Sequence, residues 1–150
     1  MAHTFHQHYY HLIWSTKERR PLILNEHKER IFEFLGGSLR TLGCASLQAG
    51  GMNDHIHILA GIPPKIAVSE IVKDIKVASS KWINSTFPKA AGFSWQEGYG
   101  SFSVSTSQKN AVLNYIQNQE KHHKVKSFRE EFIELLDLHE IEYDVEYLWK

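Results

Sequence analysis

Two histidines stand two residues apart in His55-Ile56-His57. Residues at i and i+2 of a strand project from one face, so the two imidazoles would sit about 6–7 Å apart along it. One metal ion can bridge that span, and histidine is the commonest metal ligand as well as a frequent acid–base group. Taken alone, the pair reads first as a polar, exposed strand face; a third ligand and a nucleophile are what would make it a site. The helix expected around Tyr115 supplies candidates for both. Tyr115 and Gln119 are four residues apart and share a helix face, which His122 continues. Val112 and Ile116 already furnish the apolar stripe of that helix, leaving the phenol and the amide at its edge, where packing alone gives little reason for them. His122-His123 reads as a helix-end pair favoured by the helix dipole rather than as further ligands.

The elements that must position these groups follow from periodicity. Residues 4–14 are aromatic and β-branched and read as a strand, followed by the polar stretch Ser15-Thr16-Lys17-Glu18-Arg19-Arg20-Pro21. Asn25 can cap a helix whose stripe is Ile31, Leu35, Leu39 and Leu42, with Gly43 as its stop. Residues 44–47 are extended, Gly50-Gly51-Met52-Asn53-Asp54 turns, and residues 55–62 form a strand closed by Pro63-Pro64. Ile56 and Ile58 then face helices on the side away from the histidines. Ser69 can cap a helix buried through Ile71, Val72, Ile75, Ala78 and Trp82, ending before Pro88. Residues 93–105 read as a strand with a phase slip, Phe93, Trp95 and Tyr99 against Phe102 and Val104, which a bulge at Gly98 or Gly100 would reconcile. A helix over residues 108–122 and another from Ser127, spaced from Glu130 as in a capping box, complete the chain. The order β-α-β-β-α-β is the ferredoxin-like α+β pattern, an antiparallel sheet with C-terminal helices added. Nothing divides residues 1–150, which are expected to form one domain.

Composition narrows the classes. With 150 residues, 42% of them apolar and 23% charged, the chain has the make-up of a globular protein with its own core. Its single cysteine, Cys44, allows no internal disulfide and suits a reducing cytoplasm. No run is apolar enough for a membrane span, and no signal peptide is legible. Lysine plus arginine equals aspartate plus glutamate, 17 against 17, so nucleic-acid binding would rest on local patches. The candidates are Lys17, Arg19 and Arg20 after the first strand, and Lys73, Lys76 and Lys81 on the polar side of the second helix.

Several segments together resemble the single-tyrosine HUH transposases of small bacterial insertion sequences and their relatives associated with repetitive extragenic palindromes. They are Tyr10-His11-Leu12-Ile13-Trp14-Ser15-Thr16-Lys17, Asp54-His55-Ile56-His57-Ile58-Leu59, Trp95-Gln96-Glu97-Gly98-Tyr99-Gly100-Ser101-Phe102-Ser103-Val104, Tyr115-Ile116-Gln117-Asn118-Gln119 and His122-His123-Lys124. The likeness runs over residues 4–149. Asn53 departs from it, standing where the family usually has proline, and a small change in the turn is expected. The resemblance implies that Tyr115 attacks a scissile phosphate in single-stranded DNA beside a hairpin, leaving a 5′-phosphotyrosine and a free 3′-OH. It implies His55, His57 and Gln119 as ligands of a divalent metal, Mg²⁺ or Mn²⁺. Zinc ranks lower, since no cysteine or carboxylate nearby completes a tetrahedral set. It also implies a homodimer in which the tyrosine helix of one subunit serves the other, with Ser105-Thr106-Ser107-Gln108-Lys109 as the polar joint.

Other readings stay open at this stage. A ferredoxin-like module could grip single-stranded nucleic acid on its sheet without cutting it, although the aromatic signature of such modules is missing and histidines occupy the face. A two-histidine phosphoesterase would need a second His-x-Ser or His-x-Thr motif, for which His6-Gln7-His8 is only a near match. A host-domesticated DNA-nicking relative would share the same protein chemistry.

Overall fold

The computed structural model describes residues 4–150, so His3 of the N-terminal histidine group lies outside the described residues. The elements are β1 (Tyr9–Ser15), α1 (Lys28–Thr41), β2 (Ala45–Gly51), β3 (His55–Gly61), α2 (Val68–Thr86) and β4 (Gly100–Val104). Three helices follow: α3 (Lys109–Gln117), α4 (Gln119–His122) and α5 (Phe128–Leu138). The four strands pair antiparallel in the order β2-β3-β1-β4. This is the β-α-β-β-α-β arrangement expected, with the histidine-bearing strand β3 interior to the sheet.

Strand alternation divides the sheet into two faces. Leu12, Trp14, Ile56, Ile58 and Ala60 turn to α1 and α2 and join Ile31, Leu35, Leu39, Ile71, Val72, Ile75 and Ile83 in the larger core. Ile13 and Phe102 turn to the other face and pack with Phe128, Phe132, Leu136 and Leu148 in a second one. Helices thus cover the sheet on both sides, and the histidine face is an interior.

Several local expectations are corrected. β1 begins at Tyr9, so His6 and His8 are exposed and precede the strand. α1 starts at Lys28 rather than after Asn25, whose carboxamide oxygen instead accepts from Asn53 Nδ2 at 3.0 Å. Asn53 Nδ2 also donates to the Ile23 carbonyl at 2.6 Å; the residue that departs from the family pattern ties the approach to α1 onto the turn before β3. The buried stripe of α2 continues through Ser79 and Ile83, not Ala78 and Trp82. Ser79 is tolerated in the core because its hydroxyl accepts from Trp95 Nε1 at 2.9 Å.

Residues 93–99 are not a strand. Only Trp95 pairs, through one bridge to Thr16, and the ladder starts at Gly100. The phase slip has a physical source in the two faces: Phe93 and Trp95 belong to the larger core, and Phe102 to the second. The chain changes side by a loop rather than a bulge. Lys76 fixes that loop, donating to the carbonyls of Gln96 at 2.8 Å, Glu97 at 3.1 Å and Gly98 at 2.6 Å. The Gln96 side chain in turn accepts from Ser15 N at 2.7 Å and donates to the Leu148 and Lys150 carbonyls, holding the C-terminal segment against the sheet.

Candidate active site

His55 and His57 project from β3 into the second interior, and neither exposes any surface. The plain reading of the pair as an exposed polar strand face is thereby overturned. α3 reaches them because β2 lacks a side chain at the crossing: a Cβ on Gly50 would lie 2.6 Å from the Ile116 carbonyl oxygen. Gly100 does the same for α5, since a Cβ there would meet Ile13 at 2.7 Å and Phe132 at 2.8 Å. The expected helix over residues 108–122 breaks at Asn118 (φ −102°, ψ 23°), which begins the separate turn α4 with Gln119 at its head.

Glu131 of α5 lies between all these groups and is 2% exposed. One carboxylate oxygen, Oε1, accepts from His57 Nε2 at 2.8 Å and His123 Nε2 at 3.2 Å, with His55 Nε2 at 3.5 Å. The other, Oε2, accepts from the Tyr115 hydroxyl and from Gln119 Nε2 at 3.0 Å. Gln119 Oε1 accepts from His55 Nε2 at 3.0 Å and His123 Nε2 at 3.1 Å. Further out, His55 Nδ1 donates to Asp54 Oδ1 at 2.7 Å, and His11 Nε2 lies 2.7 Å from His57 Nδ1. Tyr115, His55, His57 and Gln119 are therefore brought together within one chain.

The electrostatics follow from burial working against these contacts. Burial pushes Glu131 up, but hydrogen bonds from His123, His55 and His57 outweigh it and hold the carboxyl well below the usual carboxylate range. Burial pushes His55 down, yet its hydrogen bonds to Asp54 and Glu131 prevail and raise it to about 8. That fits an imidazolium donating from both nitrogens. Burial dominates for His57, lowered to about 4, and for His11, lowered to about 3 by burial and then by the neighbouring His57. Tyr115 is driven far above the ordinary phenol range, first by burial and then by the charge of Glu131. The hydroxyl is a donor here, not a phenolate.

The donor set fits a divalent ion. One nitrogen each from His55 and His57 and one oxygen from Glu131 lie within 4.8 Å of one another, and Gln119 adds an amide oxygen beside them. Glu131 also removes the ground for ranking zinc below Mg²⁺ and Mn²⁺, because it supplies the carboxylate that was lacking: the two imidazoles suit zinc, the carboxylate and amide oxygens magnesium and manganese.

Sequence reasoning passed over three members of this cluster. Glu131 had a signal: it interrupts the buried stripe Phe128, Phe132, Leu136 of an amphipathic helix, where an unpaired carboxylate would be prohibitive. His123 is a partner of Gln119 and Glu131, not merely a helix-end residue, whereas His122 stacks on Tyr115 at 4.5 Å. His11 shares the inward face of β1 with Ile13.

The basic candidates separate. Lys17, Lys73 and Lys81 are exposed. Arg20 pairs with Glu18 at 2.8 Å, and the Arg19 guanidinium lies 4.4 Å over the Trp149 ring. Glu18 and Arg19 both adopt left-handed backbone (φ 57° and 56°), a strain of about 1–3 kcal/mol each. Lys76 does not belong with them, since its three donors serve the loop carbonyls. Two clefts reach the cluster. One of about 550 Å³ exposes Tyr115 between Phe102, Val112, Leu135 and His139, and one of about 520 Å³ runs from Arg19 and Asp54 to His123 and Lys126.

Comparison with known proteins gives the family. Residues 4–119 match the family described as IS200-like transposases. The ISDra2 transposase TnpA of Deinococcus radiodurans is 27% identical over 115 residues, which span 73% of this chain and 82% of the relative. The transposase for insertion sequence element IS200 of Salmonella typhimurium is 30% identical over 127 residues, spanning 79% of this chain and 81% of the relative. Among solved structures, a Deinococcus radiodurans protein described as a transposase superposes with a TM-score of 0.64 at 27% identity, covering 79% of this chain and 95% of that one. A REP-associated tyrosine transposase bound to a REP hairpin shares the fold alone, with a TM-score of 0.60 at 13% identity over 82% of this chain and 74% of that one. No described helix is long and apolar enough to cross a membrane. A four-stranded antiparallel sheet whose central strand carries two buried histidines beside a helical tyrosine, matched over residues 4–119, makes this chain a DNA transposase of the IS200-like family.

Proposed function

We propose that the chain cuts and rejoins single-stranded DNA beside a hairpin, with Tyr115 as the nucleophile and His55, His57, Glu131 and Gln119 as the residues that would hold a divalent ion. The observation that carries this reading is the split use of Glu131. One of its oxygens faces the imidazoles and the other takes the phenol proton donor. Tyr115 Oη forms a bond to the scissile phosphorus as the bond to the 3′-oxygen breaks. Glu131 Oε2 orients the phenol, whose proton is given up to water in the cleft beside it, and the 3′-oxygen leaves as a hydroxyl after taking one proton from water, so the protons balance. One phosphodiester replaces another, so rejoining is the same exchange in reverse. A divalent ion in this donor set would polarise the phosphate and offset the charge developing on it. His55 is kept oriented by Asp54, as ligating histidines are by outer carboxylates.

The non-cleaving alternative loses its support, because helices α3 to α5 cover the sheet face it would use. The phosphoesterase alternative loses it too, since His6 and His8 lie outside the strands. A DNA partner with a hairpin end is supported by the fold neighbour that binds one. Lys17, Arg19, Arg20, Lys73 and Lys81 are the cations proposed to meet its phosphates, positioning the strand without specifying it. Two chains acting as a homodimer would bring two DNA ends together; Tyr115 meets Glu131, and through it His57, in the same chain, where the resemblance implied a tyrosine helix serving the other subunit.

The test is a labelled hairpin oligonucleotide incubated with Mg²⁺ or Mn²⁺, with and without EDTA, followed by denaturing electrophoresis for a covalent adduct. Wild type should form one only with the ion. Tyr115→Phe should bind the DNA and form none, at a stability cost of about 1–2 kcal/mol. An adduct in that variant, or in excess EDTA, would refute the assignment.

A further inference from the structure

The two histidines of β3 are held from behind by different chemistry. His55 Nδ1 meets Asp54 Oδ1 at 2.7 Å, an acceptor only, which fixes the proton on Nδ1 and leaves Nε2 as the metal-facing atom. His57 Nδ1 meets another imidazole, His11 Nε2, also at 2.7 Å, in a contact from which solvent is shut out. With His57 Nε2 donating to Glu131 at 2.8 Å, Nδ1 carries no proton and must accept from His11.

We infer that His11 is a positioning residue that sets the tautomer of His57, donating to Nδ1 while Nε2 is engaged by Glu131 and accepting from it when Nε2 is given to a metal ion. The inference rests on the metal-site reading above. A neutral imidazole has one donor and one acceptor, so the His11–His57 bond survives the exchange with its direction reversed. An aspartate in place of His11 would hold a proton on His57 Nδ1 with or without an ion, as Asp54 does for His55, and could not reverse the bond. A lysine would lock the opposite tautomer and withhold the ligand. The rings are 4.9 Å apart and inclined by 30°, and Phe102 and Tyr115 flank His11 at 6.1 and 6.3 Å, restricting its swing. His11 is not itself placed to ligate: it stands outside the group of His55, His57 and Glu131, and its Nε2 is taken by His57.

Two measurements test this. The first is ion affinity by calorimetry with Mn²⁺ for wild type, His11→Phe and His11→Gln, each checked for folding by thermal melting. His11→Phe should bind about 10–100-fold more weakly, the loss typical of a removed outer partner. His11→Gln, whose amide can donate or accept at the same reach, should recover most of it. The second reads wild type alone and does not depend on any variant folding: ¹⁵N spectra of the histidine rings with and without the diamagnetic ion Zn²⁺. His57 should carry its proton on Nε2 without the ion and on Nδ1 with it. An unchanged tautomer, or a folded His11→Phe that binds Mn²⁺ as wild type does, would overturn the role of His11 and leave the metal site standing. Wild type that binds neither ion would overturn both readings.

Discussion

Removing the Glu131 carboxylate should be expensive even without metal or DNA. Its oxygens take hydrogen bonds from His57, His123, Gln119 and Tyr115, and it is a counter-charge to the His55 imidazolium. Hydrogen bonds to a charged group are worth about 1.5–3 kcal/mol each. These share one acceptor residue and do not add, so the relevant scale is the loss of one partner from a buried ion pair, about 3–5 kcal/mol. Glu131→Ala should lose that much, or about 6–20 °C in melting temperature for a chain of this size. Glu131→Gln keeps one acceptor oxygen for the imidazoles and should lose about half. The assay is urea unfolding at pH 7 in EDTA, followed by tryptophan fluorescence, since Trp149 packs on Phe128 and Phe132 of the same helix. A second series with Mn²⁺ separates structure from ligation. At 100 times its dissociation constant an ion adds about 2.7 kcal/mol to the form it binds, and Glu131→Gln should forfeit most of that gain. If Glu131→Ala unfolds within about 0.5 kcal/mol of wild type in EDTA, the carboxylate does not organise the cluster. If Mn²⁺ stabilises Glu131→Gln as much as wild type, Glu131 is no ligand.

In EDTA, stability should peak near pH 6.5. His11 and His57, lowered to about 3 and 4, contribute stability above their ordinary 6.5 that is lost as pH falls, whereas His55, raised to about 8, contributes stability lost as pH rises through 8; monotonic urea midpoints from pH 4 to 9 would contradict this. Gly50→Ala should cost about 1–3 kcal/mol and lower adduct yield more than DNA binding, because its Cβ meets the backbone of the Tyr115 helix at Ile116; unchanged adduct yield would mean α3 is not seated by that contact. Mixing Tyr115→Phe with His57→Ala should restore no adduct after verified subunit exchange, since Tyr115 and Glu131 meet His57 within one chain. Recovery toward about a quarter of wild-type activity per site would instead establish a composite site, as random exchange of two lesions in a two-fold dimer requires.

Much of the fold was legible because periodicity reports faces. The stripe Ile31, Leu35, Leu39 and the alternation around Ile56 and Ile58 correspond directly to the larger core. Errors arose where a segment serves two environments. Residues 93–105 looked like one strand because both halves are aromatic and apolar, yet Trp95 and Phe102 lie in cores on opposite sides of the sheet. The α2 stripe was misjudged at Ser79 for a different reason: a polar residue reads as exposed unless its partner, here Trp95 Nε1, is known. Lys76 shows the same limit, a cation on a helix whose acceptors lie 20–22 residues away along the chain.

The site divides along the same line. His55, His57, Tyr115 and Gln119 could be singled out because strand and helix periodicities pair them locally, i with i+2 and i with i+4. His123, four residues from Gln119, did carry the helical spacing, whereas Glu131 and His11 reach His57 across 74 and 46 positions. Local spacing carries no trace of such a contact. What it does carry is the anomaly, a carboxylate between Phe128 and Phe132 on the buried side of α5. An ionised group in that stripe must find several donors or a cation, and the unmatched groups on the other elements were two histidines, a phenol and an amide. Glu131 also lies beyond residues 4–119, the segment matched by the family. The helix that closes the sheet face is therefore also the one whose Glu131 bonds to both Tyr115 and His57.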